Sequence, residues 1–385
     1  MQILKHKTSI DFIGKRRIAL FISSVLNIGI IVGIAIFGFN FGVDFAGGTL
    51  VEVKFPYPIS AAEVRQAAHK GGLPDPSVQG IGSADENSFL LRMGGVTQLT
   101  ALAATTAETA IRSLGEITEF RKPDLDNGFL NFRSKADLDK QKIKGAIEAT
   151  GLGVKEVRYL GQENGQFDYQ IVSAGMADKV KSALTAGLEK KDYEVRRVDY
   201  VGPAVGKQLR NKGIMALIYA MVAILIYVAF RFDLKFGPGA LMAMVHDIIM
   251  VAGYYLVSRR EFNLTSIAVL LTILGYSIND TIVIYDRIRE EMARYKGKPL
   301  PEIINIAVND TLSRTILTSG VTALSLIGLL IFGVGEIFDF AAAMLLGIVV
   351  GTYSSVYIAS PMTIWLDERQ AAKERGGSAM KAKTA

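Results

Sequence analysis

Three ionisable side chains and a cluster of hydroxyl and amide neighbours stand in stretches too apolar to be ordinary surface. Asp280 lies in the segment GYSINDTIVIYDRIRE, residues 275–290, and His246 and Asp247 lie in AMVHDIIM, residues 243–250. The run Leu264 to Tyr285 is 22 residues long, about 33 Å as helix and enough to cross a hydrocarbon core about 30 Å thick. Asp280 therefore falls inside the membrane zone, and a carboxyl there costs on the order of 2.5–3.5 kcal/mol on insertion scales. Such acids usually face a partner helix or a wet cavity and handle protons or ions. The alternative is a carboxyl that only hydrogen-bonds a neighbouring helix. Ser277, one turn before Asp280, and the flanking Asn279 and Thr281 are candidates to hold water or to pack. Arg314, at the start of the next apolar run, is either a snorkelling interface arginine or a charge partner for Asp280. His246 and Asp247 point about 100° apart on a helix, and proton handling and structural pairing are both open for them.

The elements that position these residues follow from hydrophobic patterning. Half of the 385 residues are hydrophobic, too many for an ordinary soluble enzyme. Six runs of membrane length appear: residues 18–37, then 213–230, 238–257, 264–285, 315–334 and 340–364. The fold class expected is a polytopic α-helical membrane protein with six transmembrane helices in a one-plus-five layout. The first run is preceded by five basic residues and followed by no small-x-small cleavage site, so an uncleaved anchor with its amino end inside is expected. The short segments on that side, residues 1–17, 231–237, 286–314 and the tail 365–385, hold 18 Lys or Arg, against 2 in the short loops on the other side. That asymmetry is the positive-inside signature and places both termini in the cytoplasm. It also accounts for the net charge of +6 without nucleic acid. The chain has no cysteine, which excludes disulfides, thiol catalysis and thiolate metal sites.

Residues 38–212 form an exported α+β domain whose pattern repeats. The first copy, about 49–122, reads strand 49–55, a helix capped by Ser60 with Glu63 three residues on, strands 77–81 and 88–93, a helix from Thr97 to Leu114 and a strand 117–122. The second, about 129–200, reads strand 129–133, helix 135–149, strands 154–160 and 168–173, helix 176–190 and strand 193–200. Both give the βαββαβ order of a ferredoxin-like module. No nucleotide loop, zinc spacing or catalytic triad is present in either copy, and Gly71-Gly72 and Gly94-Gly95 sit where turns belong. A binding or mechanical domain is expected, with no cofactor, no metal and no enzymatic centre.

Glycines carry the remaining signals. Gly29-xxx-Gly33 and Gly347-xxx-Gly351 are spacings that let helices approach closely. Gly47 and Gly48, just after the first span, permit a sharp turn from helix into strand, and Asp44 before them is a surface acid or a cap.

These features together resemble the SecF subunits of the bacterial SecD–SecF protein-export complex, relatives of the resistance-nodulation-division transporters. The resemblance rests on Gly42-Val43-Asp44-Phe45-Ala46-Gly47-Gly48-Thr49, on Val201-Gly202-Pro203-Ala204-Val205-Gly206, on His246-Asp247, and on GYSINDTIVIYDRIRE followed by Ser313-Arg314-Thr315. It implies a role in late preprotein translocation across the inner membrane, driven by the proton-motive force. It implies Asp280 and Arg314 as proton-transport residues, with His246 and Asp247 as further candidates and Asp44, Gly47, Gly48, Gly202, Pro203 and Gly206 as family motif positions. The partners implied are a SecD-like subunit in a heterodimer, the SecYEG translocon with YajC or YidC, an unfolded preprotein and membrane lipid. Such subunits usually carry one exported ferredoxin-like module, and two are read here. Protonation of Asp280 is expected to weaken its attraction to Arg314 and let the spans shift. Two alternatives remain: a half-size proton-coupled exporter of small molecules or lipids, and an assembly scaffold in which the polar residues only join helices.

Overall fold

A computed structural model describes residues 8–73, 76–81, 87–94, 99–125, 127–190, 192–333, 335–369 and 372. The expected helix start at Thr97, the turn glycine Gly95, the span end at Val334, the basic residues Lys5 and Lys7 and the tail beyond 372 lie outside the described residues. The chain divides into two compact units, Met1–Asn40 with Asn211–Ala385, and Phe41–Arg210.

In chain order, α1 (Arg16–Phe37) is followed by the elements of the second unit: α2 (Val43–Ala46), β1 (Gly48–Lys54), α3 (Ala61–Lys70), β2 (Ser77–Ile81), β3 (Ser88–Met93), α4 (Ala101–Arg112), β4 (Ile117–Phe120), β5 (Phe129–Ser134), α5 (Lys140–Glu148), β6 (Val154–Glu163), β7 (Gln166–Ser173), α6 (Met176–Gly187) and β8 (Glu194–Val201). The chain then enters α7 (Pro203–Arg231), α8 (Gly237–Ser258), α9 (Leu264–Arg294), α10 (Leu300–Phe332) and α11 (Glu336–Ser354). A π-helical turn at Ser355–Ala359 continues α11, and that last helix runs on to Arg369. Six helices, α1 and α7–α11, are long and apolar enough to cross a membrane.

The α+β unit holds two four-stranded antiparallel sheets, ordered β2-β3-β1-β8 and β4-β5-β7-β6. Both orders are those of a ferredoxin-like sheet, but their membership corrects the tandem expectation of modules at 49–122 and 129–200. Each half keeps its opening βαββ and exchanges its closing αβ unit: α6–β8 completes the first sheet and α4–β4 completes the second. The second module is thereby inserted within the first.

Two local features explain the exchange. The connection from β4 to β5 closes as a hairpin, in which Asp124 accepts from the backbone of Asn127 at 3.0 Å through its side chain and from Gly128 and Phe129 through its carbonyl, with Gly128 at φ 73°. Sequential strands joined so tightly pair with each other before either finds a distant strand. Across the first sheet, α3 and α6 cross through two matching small-residue pairs, Ala67-xxx-Gly71 and Ala183-xxx-Gly187. A Cβ on Gly71 would collide with the backbone of Ala183, and one on Gly187 with that of Ala67. The cores follow suit: Val180, Ala183 and Leu184 of α6 bury with Val51, Val53, Val64 and Leu91, while Ala104, Ala107 and Ile111 of α4 bury with Leu130, Phe132, Ile143 and Ile171. The Ser60–Glu63 capping box opens α3 as the sequence indicates.

In the membrane-spanning unit α8, α9 and α11 form the interior, and α1, α7 and α10 leave most of their apolar surface uncovered. The helices also extend beyond the apolar runs. Much of the expected connecting segment 286–314 is helical: α9 runs on to Arg294, with Arg287 paired within it to Glu290 and Glu291, both at 2.7 Å, and α10 begins at Leu300. The amino-terminal segment is tied to α10 by Asn305 and Asn309, whose amides bond the backbone of Ile10, Phe12 and Ile13.

Candidate functional site

The site lies where α8, α9 and α11 meet. Close approach comes from glycine: a Cβ on Gly351 would stand 2.9 Å from Ser277 Cβ, and one on Gly347 would collide with Ile273. The Gly347-xxx-Gly351 spacing thus presses α11 onto the face of α9 that carries Ser277, Asp280 and Thr281, all three buried. Of the earlier pair, Gly33 meets Leu256 of α8, whereas nothing lies close to Gly29.

Two carboxyls occupy this interior in different surroundings. Asp247 is fully buried, with Oδ1 2.9 Å from His246 Nδ1 and Oδ2 accepting from Ser277 Oγ at 2.5 Å and Ser354 Oγ at 2.8 Å. Asp280, 4% exposed, accepts one bond among the described residues, from Thr352 Oγ1 at 3.3 Å. Thr352 Oγ1 in turn lies 3.0 Å from Ser319 Oγ of α10. If Thr352 donates to Asp280, Ser319 must donate to Thr352, so the three groups form a directional file. Thr281 donates to Ser355 Oγ at 3.1 Å, inside the π-helical turn, a distortion often found at functional sites. His246 stacks loosely on Tyr353 at 6.0 Å, and its Nε2 is buried with no hydrogen-bond partner. It lines an apolar crevice of about 500 Å³ between α1, α8 and α11, together with Ser23, Met250 and Tyr353.

Not every candidate joins this cluster. Asn279 is exposed, because it points a third of a turn away from Asp280. Arg314 is also exposed and forms no ion pair with Asp280 among the described residues. The attraction expected between them is not a contact in this arrangement. Besides Ser277, the hydroxyls that reach the acids come from Thr352 and Ser354, which the sequence reading passed over, and Ser355 meets Thr281 instead. Their signal was present as a run of three hydroxyls in GTYSS, in the middle of an otherwise apolar span. No cluster of three or more His, Cys, Asp or Glu able to hold a metal ion occurs among the described residues. Chemically, the arrangement can hold a proton on a buried acid and pass it along short hydroxyl links.

The motif glycines gather elsewhere, in the α+β unit. Gly47, at φ 74°, packs against the backbone of Pro203 so closely that a Cβ would lie 2.9 Å from its Cα, and Gly206 sits 3.1 Å by the same measure from Gly47 N and Phe45 O. Gly48, at φ 133°, abuts the carbonyl of Met93. Gly202 precedes this crossing, and Asp44 is half-buried in the first turn of α2. The entry and exit of the domain therefore cross backbone to backbone, which only glycine allows.

Comparison with known proteins agrees with this layout. Residues 180–369 match the family model "Protein export membrane protein SecD/SecF, C-terminal", and residues 32–55 match the "SecD/SecF GG Motif". The protein translocase subunit SecF of Magnetococcus marinus is 40% identical over 368 residues, covering 95% of each chain. That of Koribacter versatilis is 35% identical over 381 residues, covering 95% of this chain and 93% of its own. The chain belongs to the SecF family. The crystal structure of SecDF, a translocon-associated membrane protein from Thermus thermophilus, superposes with a TM-score of 0.62 at 27% identity, over 96% of this chain and 40% of that one. SecDF in its super-membrane-facing form gives 0.60 at 27% identity, over 97% and 41%. The chain thus spans about two fifths of the length of these SecDF chains. The match at 180–369 takes in most of α6, β8, the helices α8, α9 and α11 that build the buried site and the Gly202–Gly206 side of the glycine crossing, and the match at 32–55 takes in Gly47 and Gly48 on its other side.

Proposed function

We propose that this chain is the SecF subunit of the accessory complex of the Sec protein translocase, promoting late steps of preprotein export with energy from the proton-motive force. The observation that carries the reading is the 40% identity to a protein translocase subunit SecF across 95% of both chains, and the buried Asp280 gives it a means. The excess of basic residues in the segments 1–17, 231–237, 286–314 and the tail supports cytoplasmic termini and a periplasmic α+β domain. A SecD-like subunit is the partner, covering the apolar faces that α1, α7 and α10 leave open and the exposed Arg314 with them. SecYEG and an unfolded preprotein complete the assembly.

In this mechanism Asp280 is the group that loads and unloads. It is held by one long hydrogen bond, so gaining a proton disturbs little, and Thr352 and Ser319 supply a short route toward α10. Asp247 stays fixed between His246, Ser277 and Ser354 and locks the register of α8, α9 and α11. Arg314, five residues before Ser319 on the same helix, sets the electrostatics of that route from the partner-facing side. Each elementary charge moved through the potential is worth about 2.3 kcal/mol per 100 mV, enough over repeated cycles to bias a sliding chain.

The test is completion of preprotein export in inverted membrane vesicles with the partner subunit, with and without a proton gradient, for wild type and Asp280→Asn at equal subunit level. Acceleration by the gradient in wild type alone supports the coupling role. An equal response of both proteins overturns it, and loss of assembly in the variant would return the acid to a joining role.

A further inference from the structure

The α+β domain carries a binding groove that the buried membrane site does not explain. It is about 950 Å³, and its walls come from both modules: Phe129 and Val172 of the inserted module on one side, Val198, Tyr200 and Val205 on the other. The exchange of αβ units creates it, since α6 and β8 return to the first sheet directly from the end of β7. Ser173, the last residue of β7, is buried at 5% exposure against this groove, and its Oγ has no hydrogen-bond partner. A buried hydroxyl left without a partner is costly, so a group supplied from outside is the natural complement.

The groove is bordered by an open strand edge. Among the described residues β8 pairs on one side only, with β1. Its stretch Arg197–Val201 runs in regular register and ends at a bulge by Arg196, where Val195 and Arg197 face Val53 and Glu52. Val198 and Tyr200 lie opposite the buried Val51 and Thr49, on the face that the helices cover farther in, yet Tyr200 is 70% exposed. The other long edge, β6, is interrupted by two register shifts, a usual protection against strand addition. The stretch Arg197–Val201 of β8 has no such shift within it. The groove's Lys155 and Lys181 make no ion pair among the described residues, which leaves two cations beside an apolar floor.

We propose that this groove receives an extended polypeptide segment, which adds to the edge of β8 over Arg197–Val201 and sets alternate apolar side chains against Val198 and Tyr200. Five strand residues span about 17 Å. Backbone bonds give affinity without regard to sequence, and the floor and the lysines favour a segment alternating apolar residues with an occasional acid. That is the surface a handler of unfolded exported chains requires. The identity of the occupant rests on the function proposed above; the presence of a strand-accepting edge does not.

The probe is a fluorescently labelled nonapeptide alternating Val and Thr with one Glu, titrated into the full chain in detergent micelles, with no gradient and no partner subunit. Saturable binding is expected, weakened roughly tenfold or more by Tyr200→Glu, the scale of losing one anchoring aromatic. A peptide of the same sequence N-methylated at alternate residues, made in both registers, should fail to bind in at least one register. Because Tyr200 is largely exposed, the variant should keep the thermal midpoint of wild type. Absence of binding, binding indifferent to Tyr200→Glu, or full binding by both methylated peptides would each overturn the proposal. The measurement is independent of proton-coupled export, so either reading can fail alone.

Discussion

Asp247 and Asp280 are both buried carboxyls on neighbouring helices of one interior, and they are built for opposite ends. Asp247 is gripped by His246, Ser277 and Ser354, while Asp280 has a single bond of 3.3 Å to Thr352. A carboxylate with several donors is held in one place, whereas one with a single long hydrogen bond is held loosely. Ser277 and Asp280 are one turn apart on α9, so the firmly held acid of α8 braces the helix that carries the loosely held one.

The sharpest way to break this comparison is to neutralise each acid in turn. Asp280→Asn should abolish the gradient's effect on export, seen in inverted vesicles, and leave assembly and the thermal midpoint of the purified complex nearly unchanged. Asp247→Ala should do the reverse first. It strands the Ser277 hydroxyl and the His246 imidazole, each costing about 1–3 kcal/mol, leaves Ser354 Oγ only its bond to Gly351 O, and should lower the midpoint by several degrees in a thermal-shift assay. Equal loss of stability in both variants would erase the distinction. Thr352→Val sharpens it: the hydroxyl between Asp280 and Ser319 goes, volume stays, and gradient-driven export should slow several-fold with the midpoint held.

The smallest effect is expected from a carboxylate outside the membrane. In the α+β domain Asp168 lies opposite Arg133 across β5 and β7 and takes a bidentate pair, both bonds 2.9 Å. The Arg133 hydrogen bond holds the Asp168 carboxyl below the usual carboxylate range. A depressed folded-state value means that the pair's stabilisation is complete above the ordinary aspartate range and is lost as pH falls through the folded value. Asp168→Asn should therefore lower the domain's midpoint slightly at pH 7 and by less at pH 3, which lies below the ordinary aspartate value of about 3.9. Circular dichroism melts at the two pH values check this.

Legibility in the sequence followed the range of the interaction. The depth of Asp280 and of His246-Asp247 follows from counting residues along an apolar run, and the Ser60–Glu63 cap from a spacing of three. The contribution of α11 was harder to see, because Thr352 and Ser354 are unremarkable as single residues in a membrane helix and gain meaning only from which acids they meet. Asn279 was placed with its neighbours by proximity in sequence, and helical rotation turned it outward. Arg314 was paired with Asp280 by the family pattern; α10 carries it on an exposed face, from which its charge acts on the Asp280 carboxyl without an ion pair among the described residues.

By itself the sequence determined the six membrane-crossing helices, since apolarity summed over some twenty residues is a property of each segment alone, and it determined the βαββ halves of the soluble domain. Only the tertiary structure decided which αβ unit closes which sheet, and which hydroxyls reach which acid. Those outcomes turn on contacts between residues far apart in the chain: the backbone fit of Ala67 and Gly71 with Ala183 and Gly187, and of Gly351 with Ser277. Close packing of that kind depends on shape on both sides, and no single segment contains it.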